Sequence, residues 1–167
     1  ARARNMHKTA QIISNKDGVF PRTIPELLKL PGIGPYTAGA ILAFAYDTPS
    51  VVIDGNIERV ITRYSYIQES LSKLKLELRS FYESIIPKTH RSDFPQALMD
   101  LGNEICTPTS PYCCKCPLAN GCQSAKTENP SLLPNRSVMK SKPVRKGQIF
   151  VIKTKAKHQG KDKYLVY

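Results

Sequence analysis

Three groups of residues have the types and spacing that chemistry requires. The first is Cys106, Cys113, Cys116 and Cys122, spaced C-x6-C-x2-C-x5-C. Four thiols within 17 residues, in a loop shaped by Pro108, Pro111 and Pro117, point to a metal site. Disulfides fit less well in a chain that shows no export signal. Zinc and a [4Fe–4S] cluster both accept four cysteine ligands, and spacing leaves both open. Cys114 falls outside the pattern and reads as a bystander, and His7, His90 and His158 have no ligand-like spacing. The second is Asp54, which ends the apolar run Val51-Val52-Ile53 and precedes Gly55-Asn56. A carboxylate there either caps the next helix or faces a developing cation, as in glycoside cleavage. Local sequence leaves both roles open. The third is the turn Leu30-Pro31-Gly32-Ile33-Gly34. Two glycines let a backbone turn tightly and approach a ligand, and the following helix N-terminus offers N–H groups to a phosphate. Gly32, Ile33, Gly34 and Thr37 are therefore candidate contacts to a phosphate backbone, with an ordinary helix–helix turn as the alternative.

Helices must position these groups. Thr23-Ile24-Pro25-Glu26 has the form of a capping box and opens a short helix through Leu30. A second helix from about Tyr36 to Tyr46 is rich in small residues (Ala38, Gly39, Ala40, Ala43, Ala45) that admit a neighbouring backbone. Ile57, Val60, Ile61 and Tyr64 recur at helical spacing after a start at Asp54–Asn56. On that helix Glu58, Arg59 and Arg63 read as a solvated or DNA-facing side. Leu71, Leu74, Leu78, Phe81, Tyr82 and Ile85 mark a longer helix that Pro87 ends. Phe94, Ala97, Leu98, Leu101 and Ile105 mark another, with Asp93 placed to cap it and Asp100 as a helix–helix hydrogen-bond partner in preference to a second catalytic acid. After Cys122, Asn129–Asn135 reads as a linker. Gln148–Ile152 and Tyr164–Tyr167 read as strands around a polar turn near Gly160.

The 167 residues carry 25 Lys and Arg against 13 Asp and Glu, a net charge of +12. That excess favours a polyanionic partner, nucleic acid ahead of an anionic membrane. No apolar run approaches the roughly 20 residues that span a bilayer. The charge is uneven: residues 1–125 net +3 and residues 126–167 net +9.

Taken together, the hairpin, the aspartate and the cysteines resemble the helix–hairpin–helix DNA glycosylase superfamily over about residues 1–125. Endonuclease III and other members with lyase activity carry a lysine where Gly34-Pro35-Tyr36-Thr37-Ala38 has Tyr36, and D-T-H where this chain has Asp54-Gly55-Asn56. Both departures are similar to the A/G-specific adenine DNA glycosylases (MutY family), as are Arg2-Ala3-Arg4-Asn5 and Ala97-Leu98-Met99-Asp100-Leu101-Gly102. The resemblance implies excision of adenine opposite 8-oxoguanine or guanine by hydrolysis of the N-glycosidic bond, after base flipping. Asp54 would stabilise the oxocarbenium-like sugar, Tyr36 line the adenine pocket and Asn56 position the water or Asp54. Cys106, Cys113, Cys116 and Cys122 would hold a structural [4Fe–4S] cluster whose loop presents Lys115 to DNA.

The expected fold is mainly α: a helical domain at 1–105 with its helix–hairpin–helix at about 23–46, and an iron–sulfur loop at 106–125. A linker at 126–145 and the start of a small β-containing, NUDIX-like domain at 146–167 follow. The partner is double-stranded DNA with A:8-oxoguanine or A:G mispairs, bound by a monomer in a bacterial cytoplasm at the nucleoid. The family protonates the departing adenine with a Glu upstream of the Arg2–Asn5 motif. The expectation is thus an internal piece of a longer enzyme, with little activity by itself. An endonuclease III-like glycosylase/lyase and a non-catalytic DNA-binding module are the alternatives.

Overall fold

The computed structural model describes residues 1–69, 71–127, 129–135, 147, 151–153 and 164–166. Six α-helices run in order: α1 Arg2–Ser14, α2 Ile24–Leu27, α3 Pro35–Tyr46, α4 Gly55–Tyr64, α5 Leu71–Ile85 and α6 Asp93–Glu104. The chain divides into one unit from Ala1 to Arg136 and another from Ser137 to Tyr167.

In the first unit, apolar residues three and four apart build two clusters. Ile13, Leu27, Leu30, Ala38 and Leu42 join α1, α2 and α3 behind the hairpin. Val52, Ile57, Val60, Ile61, Leu74, Leu78, Tyr82 and Leu98 join the segment before α4 to α4, α5 and α6. The short run Val51–Ile53 is not a strand; Val52 is its fully buried member. Gly39 matters to its placement, because a Cβ there would strike the Val51 carbonyl oxygen. The small-residue face of α3 therefore does bring a second backbone close.

Helix ends differ in detail from their sequence signatures. Thr23 makes no capping bond to the α2 backbone; its Oγ1 instead donates to Glu26 Oε2 at 2.7 Å, a side-chain pair that leaves the box half made. The N-cap of α6 is Ser92, not Asp93, and the Ser92 N–H donates to Asp47 Oδ1 at 2.9 Å. Asp93 is the first helical residue and lies 3.4 Å from His90 Nδ1. Asp100 is exposed and accepts from Gln96 Nε2 at 3.2 Å, one turn back on its own helix. It bridges no pair of helices.

The segment read as a linker begins as part of the body. Single 3₁₀ turns form at Ser124–Lys126 and Pro130–Leu132, and Leu133 and Pro134 are buried. The Asn135 amide donates to the Gln68 carbonyl at 3.2 Å. Apolar side chains and backbone acceptors in this stretch find partners on the helices, so the division falls near 136 rather than 126. In the second unit, β1 Val151–Lys153 pairs antiparallel with β2 Tyr164–Val166, with Ile152 opposite Leu165. The rest of the expected linker and small domain lies outside the described residues. Among the described residues no helix is long and apolar enough to cross a membrane.

Candidate active site and metal centre

The hairpin is built by α1 as much as by its own glycines. Gly32 has φ +81°, a backbone conformation open to glycine. A Cβ at Gly32 would lie 2.8 Å from Asn5 Cβ. Thr9 Oγ1 donates to the Pro31 carbonyl at 2.8 Å, fixing the turn from the same helix. The Ile33 N–H is spent on the Leu30 carbonyl at 3.1 Å. Gly34 is the N-cap of α3, and Pro35 has no N–H to offer. Tyr36 and Thr37 thus supply the first-turn amides, which lack a partner four residues back.

Of its two sequence readings, Asp54 meets the first, that of a helix cap. It is the N-cap of α4: its Oδ1 accepts from the Asn56 N–H at 2.9 Å and the Ile57 N–H at 2.8 Å. Its Oδ2 accepts from Asn56 Nδ2 at 3.2 Å. The carboxylate is only half-buried, so the cap fixes its position while leaving it reachable. Tyr36 stands near it. Burial, and then the Asp54 charge, push the Tyr36 phenol above its ordinary pKa of 10.0, so the group is a neutral O–H donor at physiological pH. Tyr36 is 46 % exposed and helps line an open groove of about 660 Å³ with Pro35, Val51 and Ile53. The carboxylate of Glu83 in that groove is held by Arg79 Nε at 2.9 Å.

The arginines of α4 overturn the expectation of a solvated face. Arg59 is 5 % exposed and Arg63 is 2 %. Arg59 donates to Asn56 Oδ1 at 2.8 Å, to the Gly102 carbonyl at 2.6 Å and to the Cys106 carbonyl at 2.7 Å. Gly102 makes this possible: a Cβ there would lie 2.7 Å from Asn56 Cβ. Asn56 therefore holds Asp54 with its amide nitrogen and Arg59 with its amide oxygen. Arg63 donates to the carbonyls of Leu133, Thr107 and Pro108 at 2.9, 2.7 and 2.8 Å. Only Glu58 of the expected polar face stays partly exposed.

The C-terminal end of α4 meets the cysteine loop. Cys106, Cys113, Cys116 and Cys122 all line one cavity of about 30 Å³, together with Arg63, Ile105 and Ser124. Arg63 Nη1 lies 3.4 Å from Cys106 Sγ, and Cys122 Sγ lies 3.5 Å from the Arg63 carbonyl. The Cys113 thiol is pushed up by burial and by the three other sulfurs, with Arg63 pulling the other way. Cys113 is thus within electrostatic reach of the other three sulfurs. Among the described residues no three His, Cys, Asp or Glu side chains form a set that could hold a metal ion. A tetrahedral zinc would draw its sulfurs to about 2.3 Å from one centre. Cys114 is exposed and outside that cavity.

A helix-hairpin-helix motif model matches residues 15–44, which contain the hairpin, Tyr36 and Thr37. An adenine DNA glycosylase of Buchnera aphidicola subsp. Baizongia pistaciae is 46% identical over 124 residues, 74% of this chain and 35% of the relative. The chain is homologous to adenine DNA glycosylases. The human adenine DNA glycosylase is 34% identical over 149 residues, 86% of this chain and 27% of that protein. Among solved structures, a thermostable thymine-DNA glycosylase aligns with TM-score 0.64 at 32% identity, covering 74% of this chain and 58% of the other. Endonuclease III in a non-covalent DNA complex aligns with TM-score 0.60 at 33% identity, covering 74% and 57%. The chain spans 35% and 44% of the length of two Buchnera adenine DNA glycosylases. Its fold is that of helix–hairpin–helix glycosylases. The sequence reading gave Thr9 no place behind the hairpin and set the two buried arginines on an open face. Asn5 carried a signal, as part of the Arg2–Asn5 motif.

Proposed function

We propose that these residues belong to a glycosylase that excises adenine opposite 8-oxoguanine or guanine by hydrolysing its N-glycosidic bond. The observation that carries this reading is Asp54, held by three hydrogen bonds at a helix start and half open beside a neutral Tyr36. Cleavage builds positive charge on the sugar, and a preorganised carboxylate stabilises it without reorganising. Asn56 keeps Asp54 in place, and Tyr36 offers a phenol edge and an O–H to a flipped base. The α3 amides and Thr37, with Gly32 to Gly34 shaping the turn, hold the DNA backbone without reading sequence. Tyr36 in place of a lysine amine favours hydrolysis over lyase chemistry.

The four thiols that share one cavity match the ligand set of a [4Fe–4S] cluster, as the resemblance to the glycosylases implies, with zinc as the alternative occupant. Such a cluster would brace the loop that α4 reaches, and Lys115 would meet DNA phosphates from it. Iron and acid-labile sulfide with broad visible absorption support this; a colourless zinc protein contradicts it. The second unit fits the start of a NUDIX-like domain, and the protein acts as a monomer on double-stranded DNA in a bacterial cytoplasm.

In this reading the acid that protonates the departing adenine is the glutamate that the adenine glycosylases carry upstream of the Arg2–Asn5 motif. General acid catalysis contributes about 10²–10⁴ in rate. In single turnover on an A:8-oxoguanine duplex, the 167-residue chain should release adenine at least about 100-fold more slowly than a full-length relative. Release at the relative's rate would overturn that division of labour.

A further inference from the structure

The guanidinium of Arg63 is the most buried charge among the described residues, at 2 % exposure. Its nitrogens are met by the Leu133, Thr107 and Pro108 carbonyls, by the Cys106 carbonyl at 3.5 Å and by Cys106 Sγ at 3.4 Å. No carboxylate among the described residues pairs with it; the ion pairs there are Lys73–Glu69, Arg79–Glu83 and His90–Asp93. Carbonyl dipoles soften the loss of water, but an isolated cation in the interior still costs several kcal/mol. Such a residue needs an anion. The groups able to supply one are the four sulfurs that share its cavity. The geometry also suits arginine in particular, because one planar fork spreads its N–H groups over the chain from Cys106 to Pro108 and reaches Leu133 as well.

We infer that Arg63 is the internal counter-cation of the cysteine sulfurs, donating an N–H···S bond to Cys106, and that it raises the reduction potential of a cluster bound there. The inference rests on the iron–sulfur reading above. A cluster that takes one electron from a donor gains one negative charge, and a fixed cation 3.4 Å from a ligand sulfur favours that charge. Net charge, hydrogen bonds to sulfur and solvent exposure are the terms that set such potentials.

Spectroelectrochemical titration of the holoprotein and of Arg63→Gln and Arg63→Lys tests this. Arg63→Gln should lower the reduced-to-oxidised ratio at a fixed potential at least tenfold, about 59 mV downward for one electron. Arg63→Lys, which keeps the charge, should stay within threefold. If Arg63 only braced the loop, its loss would admit water, which favours the more charged reduced form and moves the potential up. An upward shift, or one below threefold in Arg63→Gln, overturns the inference while iron and sulfide in the wild type leave the cluster reading standing. A wild type that holds zinc or no metal overturns both. Should neither variant keep its cluster, pulsed electron–nuclear double resonance on wild-type protein with ¹⁵N-arginine decides. A guanidinium ¹⁵N coupling to the reduced cluster supports the assignment, and its absence overturns it.

Discussion

Asp54 and Arg63 stand near opposite ends of one ten-residue helix, about 15 Å long, and are held in opposite ways. The carboxylate at the start is half open, and its partners are Asn56 and Ile57, two and three residues away. The guanidinium toward the far end is closed off, and its partners lie 43 to 70 residues away in sequence. One end is a carboxylate fixed by local bonds that leave it accessible. The other is an anchor that ties the helix to a loop with little secondary structure of its own. Arg59 and Asn56 connect them, since Asn56 touches both Asp54 and Arg59. The position of the carboxylate therefore depends on how the cysteine loop is held.

The largest way to break that arrangement is to remove the connecting cation. Arg59→Met leaves the Gly102 carbonyl and Asn56 Oδ1 without this donor and the Cys106 carbonyl with only the 3.5 Å contact from Arg63, and at about 1–3 kcal/mol per weakened buried acceptor the loss should be about 3–5 kcal/mol of stability in urea unfolding. A loss below about 1 kcal/mol would show that the anchored end is not anchored by this residue.

The core beneath Asp54 should reveal itself at alkaline pH. Tyr82 is 1 % exposed, and burial pushes its phenol up to about 12, against a bond to Val52 that pulls it down. A raised pKa means that the folded state holds its proton longer than the unfolded state. The stability is then complete below about pH 10 and falls as pH rises toward 12, by roughly 2–3 kcal/mol. Tyr82→Phe should flatten that part of the pH profile; an unchanged slope would assign the alkaline loss to other groups.

A smaller perturbation sharpens the contact between the two ends. Gly102→Ala places a methyl 2.7 Å from Asn56 Cβ, and should cost about 1–3 kcal/mol by overpacking. It should also weaken binding to damaged duplexes by displacing Asn56, which calorimetric titration would detect. Smallest of all is the stability change for Asp54→Asn, expected within about 0.5 kcal/mol because asparagine caps helices as well as aspartate. A larger loss would mean that the negative charge, rather than the cap geometry, holds the start of α4.

The open end of α4 was legible in the sequence and the closed end was not, for a physical reason. A cap, a glycine turn and a cysteine ladder are local patterns, and their residues are neighbours both along the chain and in space. Asp54, Gly32 and the four cysteines were found that way. Arg59 and Arg63 sit beside Glu58 on a helix whose apolar stripe is already complete with Ile57, Val60, Ile61 and Tyr64, so periodicity assigned them to water. Their burial depends on carbonyls of Gly102, Cys106, Thr107, Pro108 and Leu133, and no local pattern announces a carbonyl. The same blindness made a linker of residues 126–135, whose buried Leu133 is one of those partners. The net charge of +12 directed attention to nucleic acid, yet residues 1–125 carry only +3. Placed groups, rather than total charge, carry the site.

The central claim is that the Asp54 carboxylate meets positive charge on the sugar. The direct test measures binding of the 167-residue chain to two duplexes that differ only in a sugar analogue placed opposite 8-oxoguanine. One carries a cationic pyrrolidine and the other a neutral tetrahydrofuran. The wild type should prefer the cation at least about tenfold, or 1.4 kcal/mol. Asp54→Asn should erase that preference while binding the neutral duplex equally well. A wild type without the preference, or an Asp54→Asn protein that keeps it, would contradict the claim.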